Sequence, residues 1–185
     1  MIFFYRYLLK LLQMKIVLLG YMASGKSSIG NITSKKLFLP FIDLDKYIES
    51  EENMTINNIF EEKGEIHFRL IEHIYLKKIL NSDDNFILSL GGGTPCYADN
   101  MDLILNTENT ISIYLQANIN TLVQRLISVK DKRPLIKELD DKMLIEYIGK
   151  HLFERCFFYE QANKKVIIDN KTIDEISKEI IKSLN

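Results

Sequence analysis

Residues 20–28 read GYMASGKSS, the G-x-x-x-x-G-K-[ST] spacing of a loop that cradles phosphates. Gly20 and Gly25 free the backbone to wrap, so that its N–H groups point into the loop. Lys26 carries a cation long enough to reach the outer phosphates, and the Ser27 hydroxyl suits Mg²⁺. An apolar run, KIVLL (15–19), precedes the loop, and a helical pattern over 26–37 follows it. The positive end of that helix adds to an anion site. The chemistry implied is nucleotide phosphate binding. The group that receives a phosphate is left open.

Acceptor residues lie further along. FIDLD (41–45) ends a strand with Asp43 and Asp45, two residues apart and able to face the same way. One would serve the metal shell and the other a substrate hydroxyl; the plainer role for Asp43 is to cap the next helix. LGGGTP (90–95) strips three consecutive side chains, Gly91 to Gly93, and so admits a ligand or a second backbone, unless it is only a wide turn. In GEIHFRLIE (64–72), Arg69 and Glu72 stand at i, i+3 on a helix, so the carboxylate can orient the guanidinium. In ERCFFYEQAN (154–163), Arg155 sits near the end of a long helix, where a surface salt bridge is the simpler role. Two guanidinium forks suit a carboxylate or phosphate, and Asp suits hydroxyls. Together they describe a small hydroxylated acid.

SVKDKRPLIKELDDK (128–142) is charged, breaks at Pro134 and has no periodicity before Asp140. A long loop beside a nucleotide site reads as a lid, with Arg133 placed to stabilise charge on a phosphoryl group in transfer. His67, His73 and His151 fall in helical patterns with no partner at catalytic spacing and are read as structural.

These residues need a scaffold. The runs 15–19, 39–42, 86–90, 111–115 and 165–169 are short, apolar and mostly β-branched or aromatic, as in strands buried on both faces. Helical patterns cover 26–37, 43–52, 56–63, 65–81, 118–128, 141–162 and 172–184. Thr172 to Glu175 has capping-box spacing, and Asp140 or Asp141 can cap the helix before it. Strands alternating with helices predict an α/β fold: a doubly wound, parallel, five-stranded sheet of P-loop NTPase type, with flanking helices and a lid segment. Ligands of such sheets gather beyond the carboxyl ends of the strands, where the loop, DLD and GGG would converge.

The 185 residues suffice for one domain, read as a P-loop kinase domain over 14–185. Net charge is −1, without a basic excess for nucleic acid. Cys96 and Cys156 lack metal-ligand spacing and read as reduced thiols of a cytoplasmic protein. MIFFYRYLLKLLQ (1–13) is apolar, but Arg6 and Lys10 interrupt it and it is short for a membrane span. It is read as a dispensable extension or an early start; an interfacial amphipathic helix is the alternative. No membrane partner is expected.

Taken in order, GYMASGKSS, FIDLDKYIE, IFEEKGEIHFRLIE, LGGGTP, KRPLI and ERCFFYEQAN resemble the shikimate kinase family over residues 15 to about 180. The resemblance implies transfer of the ATP γ-phosphate to the 3-hydroxyl of shikimate, on the route to chorismate and aromatic amino acids; a monomer is expected. It assigns Ala23 to Ser28 to ATP phosphates and Ser27 to Mg²⁺, with Asp43 near the metal through water. It places shikimate against Asp45, Arg69, Gly92 and Arg155, Arg133 on ATP, and Asp169 and Asn170 near adenine. Lys26, Asp45 and Arg133 are the implied catalytic set. The loop departs from the family's G-x-M-G-A-G-K-S-T, with Ala23 for a glycine and Ser28 for the threonine among the differences. Neither is required by the cradling geometry, so activity is expected to survive with altered ATP affinity. The lid's leading arginine is not cleanly placed, since Arg125 falls near the preceding helix. A gluconate kinase-like enzyme or a silent nucleotide module are the alternatives. The triple glycine argues against the first, and retention of Lys26, Ser27, Asp45 and Arg133 against the second.

Overall fold

A computed structural model describes residues 14–128 and 139–184. Five strands, β1 (Lys15–Leu19), β2 (Phe41–Asp43), β3 (Phe86–Ser89), β4 (Thr110–Gln116) and β5 (Lys164–Ile167), form one parallel sheet in the order β2-β3-β1-β4-β5. Seven α-helices are described: α1 (Lys26–Leu37), α2 (Leu44–Glu52), α3 (Ile56–Leu80), α4 (Asn100–Asn106), α5 (Ile119–Ile127), α6 (Asp141–Tyr159) and α7 (Ile173–Ser183). The expected doubly wound architecture is present. The expected lid, with Arg133, lies outside the described residues, as do residues 1–13.

β1 is the middle of the core, and Ile16 to Leu19 are fully buried. Burial on both faces holds for the inner strands, where all of β3 is buried, and fails at the edges. β2 is only half-buried and β5 exposes all but Val166, because each has a neighbour on one side alone. α4 carries no clear helical period and was not expected from the sequence; it follows the short 3₁₀ turn Thr94–Cys96. α6 stops at Tyr159, three residues earlier than its pattern suggests.

Helix starts follow their caps. Thr172 and Glu175 form the full capping box of α7, and Asp140, not Asp141, caps α6 through Met143 N–H at 2.8 Å. α3 is two helices joined at Gly64, whose φ of +80° breaks the helical run where the sequence divides 56–63 from 65–81. Nothing lies within 4 Å of a Cβ built there, so the glycine serves the turn rather than packing.

Register brings three loops to one edge. Leu18 pairs with Ser89, Ser89 with Asp43, and Leu90 N–H donates to Leu18 C=O at 3.1 Å. The loop after β1, the aspartates after β2 and the glycines after β3 therefore leave the sheet side by side.

Candidate active site

The phosphate loop is built from backbone. α1 starts at Gly25, in the left-handed region at φ +92°, and no side chain caps its N-terminus. Its first N–H groups are thus left for an anion. Gly20 has no room for a methyl, since a Cβ there would lie 2.7 Å from the Leu115 carbonyl. Lys26 is buried, with Nζ donating to the Gly20 and Tyr21 carbonyls at 2.8 and 3.1 Å. Its ammonium is held inside the ring of the loop.

Ala23, which replaces a glycine of the family pattern, adopts φ +63°. The loop geometry does ask for a left-handed residue here, and a methyl in that conformation costs about 1–2 kcal/mol. Beside it the fully buried Ser24 hydroxyl has no hydrogen-bond partner among the described residues. Arg125 lies inside α5 and reaches across to the same turn, its Nη1 donating to the Ala23 and Ser24 carbonyls at 3.2 and 3.3 Å. The arginine left unplaced by the sequence is a brace on the loop. Asp169 accepts from Asn118 N–H at 3.1 Å, joining the turn after β5 to the start of α5, and Asn170 is left-handed at φ +56°.

At the loop's edge the Ser27 hydroxyl donates to Asp43 Oδ2 at 2.5 Å and lies 3.4 Å from the Ser89 hydroxyl. The other Asp43 oxygen accepts from Lys46 N–H at 3.4 Å, so Asp43 both caps α2 and faces Ser27. Two hydroxyls and a carboxylate are hard oxygen donors and suit Mg²⁺, which keeps waters and phosphates in its shell. Among the described residues no group of three or more His, Cys, Asp or Glu forms a protein cage for a metal. Ser89 was missed by the sequence reading, because a serine at a strand end carries no motif.

Asp45 lies two residues beyond Asp43, in the first turn of α2 rather than on the strand end, against the first of the three glycines: a Cβ on Gly91 would be 3.1 Å from Asp45 Oδ1 and 3.2 Å from Glu72 Oε1. Burial, with Asp43 and Glu72 nearby, pushes the Asp45 carboxyl up to about 6, against the pull of Lys26. It is thus poised near neutral pH, as a proton acceptor must be.

Each glycine of 91–93 makes room for a different part of this chain. Gly92 abuts the phosphate loop, where a Cβ would lie 3.1 Å from Met22 N, and Gly93 abuts the Arg69 guanidinium at 3.0 Å. Close approach of a second backbone is therefore observed. Arg69 is fixed from three sides. Nη1 donates to Glu72 at 2.8 Å, Nε to Glu65 at 3.3 Å, and the fork stacks 3.9 Å above the Tyr97 ring. Glu72 is fully buried, and its second oxygen accepts from the Thr94 hydroxyl at 2.6 Å. The i, i+3 pairing is as the spacing predicts; Tyr97 and Thr94 were not legible. Arg155 is half-buried, 5.7 Å from the centre of the Tyr21 ring, which brings the end of α6 to the phosphate loop. Cys96, between the two arginines, has its thiol pushed up to about 11 by burial. It is not a nucleophile at neutral pH.

His67 and His73 lie on α3, the Arg69 helix, and His151 lies on α6, the Arg155 helix. His73 Nδ1 lies 2.8 Å from Asn100 Oδ1, and His151 packs on Tyr147. Among the described residues, His67 Nε2 and His151 Nδ1 are buried without a hydrogen-bond partner.

The shikimate kinase family model matches residues 22–185. The shikimate kinase of Flavobacterium psychrophilum is 54% identical over 92% of this chain and 98% of its own. That of Flavobacterium johnsoniae is 50% identical over 90% and 96%. Among solved structures, a shikimate kinase from Bacteroides thetaiotaomicron superposes with a TM-score of 0.84 at 32% identity, covering 92% of this chain and 98% of that one. One from Acinetobacter baumannii in complex with shikimate gives 0.82 at 26% identity, with 92% of each covered. A gluconokinase from Sinorhizobium meliloti, at 16% identity and a TM-score of 0.57, shares the fold alone. With a phosphate loop, an aspartate pair and two arginines meeting at one sheet edge, this chain belongs to the shikimate kinase family.

Proposed function

We propose that this chain transfers the γ-phosphate of ATP to the 3-hydroxyl of shikimate, giving shikimate 3-phosphate and ADP for the synthesis of chorismate and aromatic amino acids. The observation that carries the proposal is the meeting of Lys26 and Asp45 where the Arg69 and Arg155 helices converge. Ala23 to Ser28 hold the phosphates through backbone N–H groups, and Lys26 turns from the loop carbonyls toward the outer phosphates. Ser27 would hold Mg²⁺ and Asp43 would meet it through water; the ion would neutralise phosphate charge when bound. Asp45 accepts the hydrogen of the attacking hydroxyl. Arg69 and Arg155 hold the shikimate carboxylate, and Gly92 packs beside it. Arg133, outside the described residues, is assigned to phosphates in transfer.

The chain is read as acting as a monomer. Unpaired Cys96 and Cys156 support a reducing compartment, the cytoplasm. No helix among the described residues is long and apolar enough to cross a membrane. A coupled ADP-release assay with shikimate, quinate and gluconate tests the proposal. Turnover confined to shikimate is expected; turnover with gluconate in its place overturns it.

A further inference from the structure

Tyr159, four residues beyond Arg155 on α6, is fully buried, and its hydroxyl donates to the Gly92 carbonyl at 2.5 Å. Its ring is held against Tyr114, with centroids 5.2 Å apart. Burial holds the phenol well above its ordinary value, which neighbouring Arg155 only partly opposes, so the hydroxyl remains a donor throughout the working pH range. Because a peptide is planar and trans, fixing the Gly92 carbonyl also fixes the Gly93 N–H on the opposite side of the same plane. Glycines have no side chain to lock that plane, and three in succession leave it with the most freedom a chain allows. The loop must nevertheless stand between Met22 on one side and the Arg69 guanidinium on the other. One hydroxyl from the Arg155 helix supplies the lock.

We infer that Tyr159 is a positioning residue for the phosphate acceptor: it orients the 91–93 peptides and ties them to the helix that carries Arg155. The inference rests on the proposed shikimate phosphorylation. Tyr159 touches neither phosphates nor metal donors, so its effect should fall on one substrate.

The test compares Tyr159→Phe with Tyr114→Phe, which removes a phenol from the other member of the same stack. Each is assayed for KM of shikimate, KM of ATP, kcat and Tm. Tyr159→Phe is expected to raise the shikimate KM about tenfold, the cost of leaving a part-buried carbonyl unpaired and its peptide plane free, with the ATP KM changed less than twofold. Tyr114→Phe is expected to leave both KM values within twofold. Equal shifts in both KM values, an unchanged shikimate KM, or the same split in Tyr114→Phe overturns the inference. Failure of Tyr159→Phe to fold overturns it too, since the bond would then be structural. If the wild-type chain does not turn over shikimate, the proposed function fails first and takes this inference with it.

Discussion

The phosphate loop and the acceptor side meet at Met22 and Gly92 yet are made in opposite ways. The first is a run of nine residues whose working groups are mostly backbone N–H, shaped by left-handed turns at Ala23 and Gly25. The second is assembled from side chains on α2, α3 and α6, each held by further side chains: Glu72 and Tyr97 on Arg69, Tyr21 beside Arg155. A site of backbone tolerates side-chain change except where a charge is delivered. One of side chains is sensitive at each member, and at the residues behind it.

The largest effect should come at the exception. Lys26→Met removes the single charge of the loop's interior, and kcat is expected to fall on the order of 10²–10³-fold with shikimate KM nearly unchanged. A matching rise in shikimate KM would erase the division. Next come the aspartates. Asp45→Asn is expected to lower kcat/KM for shikimate on the order of 10²-fold and to leave ATP affinity within twofold. Asp43→Asn should raise the Mg²⁺ needed for half-maximal rate. Titrations of the two variants that superimpose would show a shared role.

The raised Asp45 carboxyl gives a pH signature. In the wild type, kcat/KM for shikimate should fall about tenfold per pH unit below about pH 6, as the acceptor protonates. Stability runs the other way. A folded-state pKa above the unfolded value of 3.8 means that the charged form costs the fold. That cost is present above about pH 6 and gone below about pH 4. Asp45→Asn should therefore raise Tm by about 2–4 °C at pH 7.5, the shift that ~1 kcal/mol gives a domain of this size, and by nothing at pH 4. A Tm gain that persists at pH 4 counts against burial of charge as its cause.

Smaller effects sharpen the backbone half. Ala23→Gly relieves a methyl at φ +63° and is expected to stabilise the fold by about 0.5–1 kcal/mol by urea unfolding, with kcat within twofold. A destabilised variant would show that Arg125 and the loop compensate for the methyl. The smallest effect expected is from starting the chain at Met14: Tm and turnover should match the full chain, and loss of solubility in the shorter form would give residues 1–13 a part in folding.

The same contrast decides what the sequence could disclose. A loop of contiguous residues is legible because its spacing is its geometry, and Asp43 and Asp45 were legible as a pair, though only Asp43 ends the strand and Asp45 stands in the first turn of α2. Arg69 and Glu72 were legible because helical pitch pairs i with i+3. What escaped depended on tertiary distance: Tyr159 meets Gly92 across 67 positions, and Arg125 meets Ala23 across 102. The strands were found by their apolar runs, but an edge strand such as β5 reads like a central one until its neighbours are known. α4 escaped because seven residues hold too few turns for a period to show.

Those long spans set an order of assembly during synthesis. Residues 15–28 emerge first, but the brace on their turn, Arg125, emerges a hundred positions later, and the Tyr159 lock on the glycines later still. Contacts between such distant positions are also the slowest to form, since loop closure precedes any reward. A nascent chain exposed only to a point between residues 128 and 154 holds the phosphate loop and its brace and lacks Arg155 and Tyr159. It would emerge from the ribosome with a phosphate donor's seat and an unfinished seat for its acceptor.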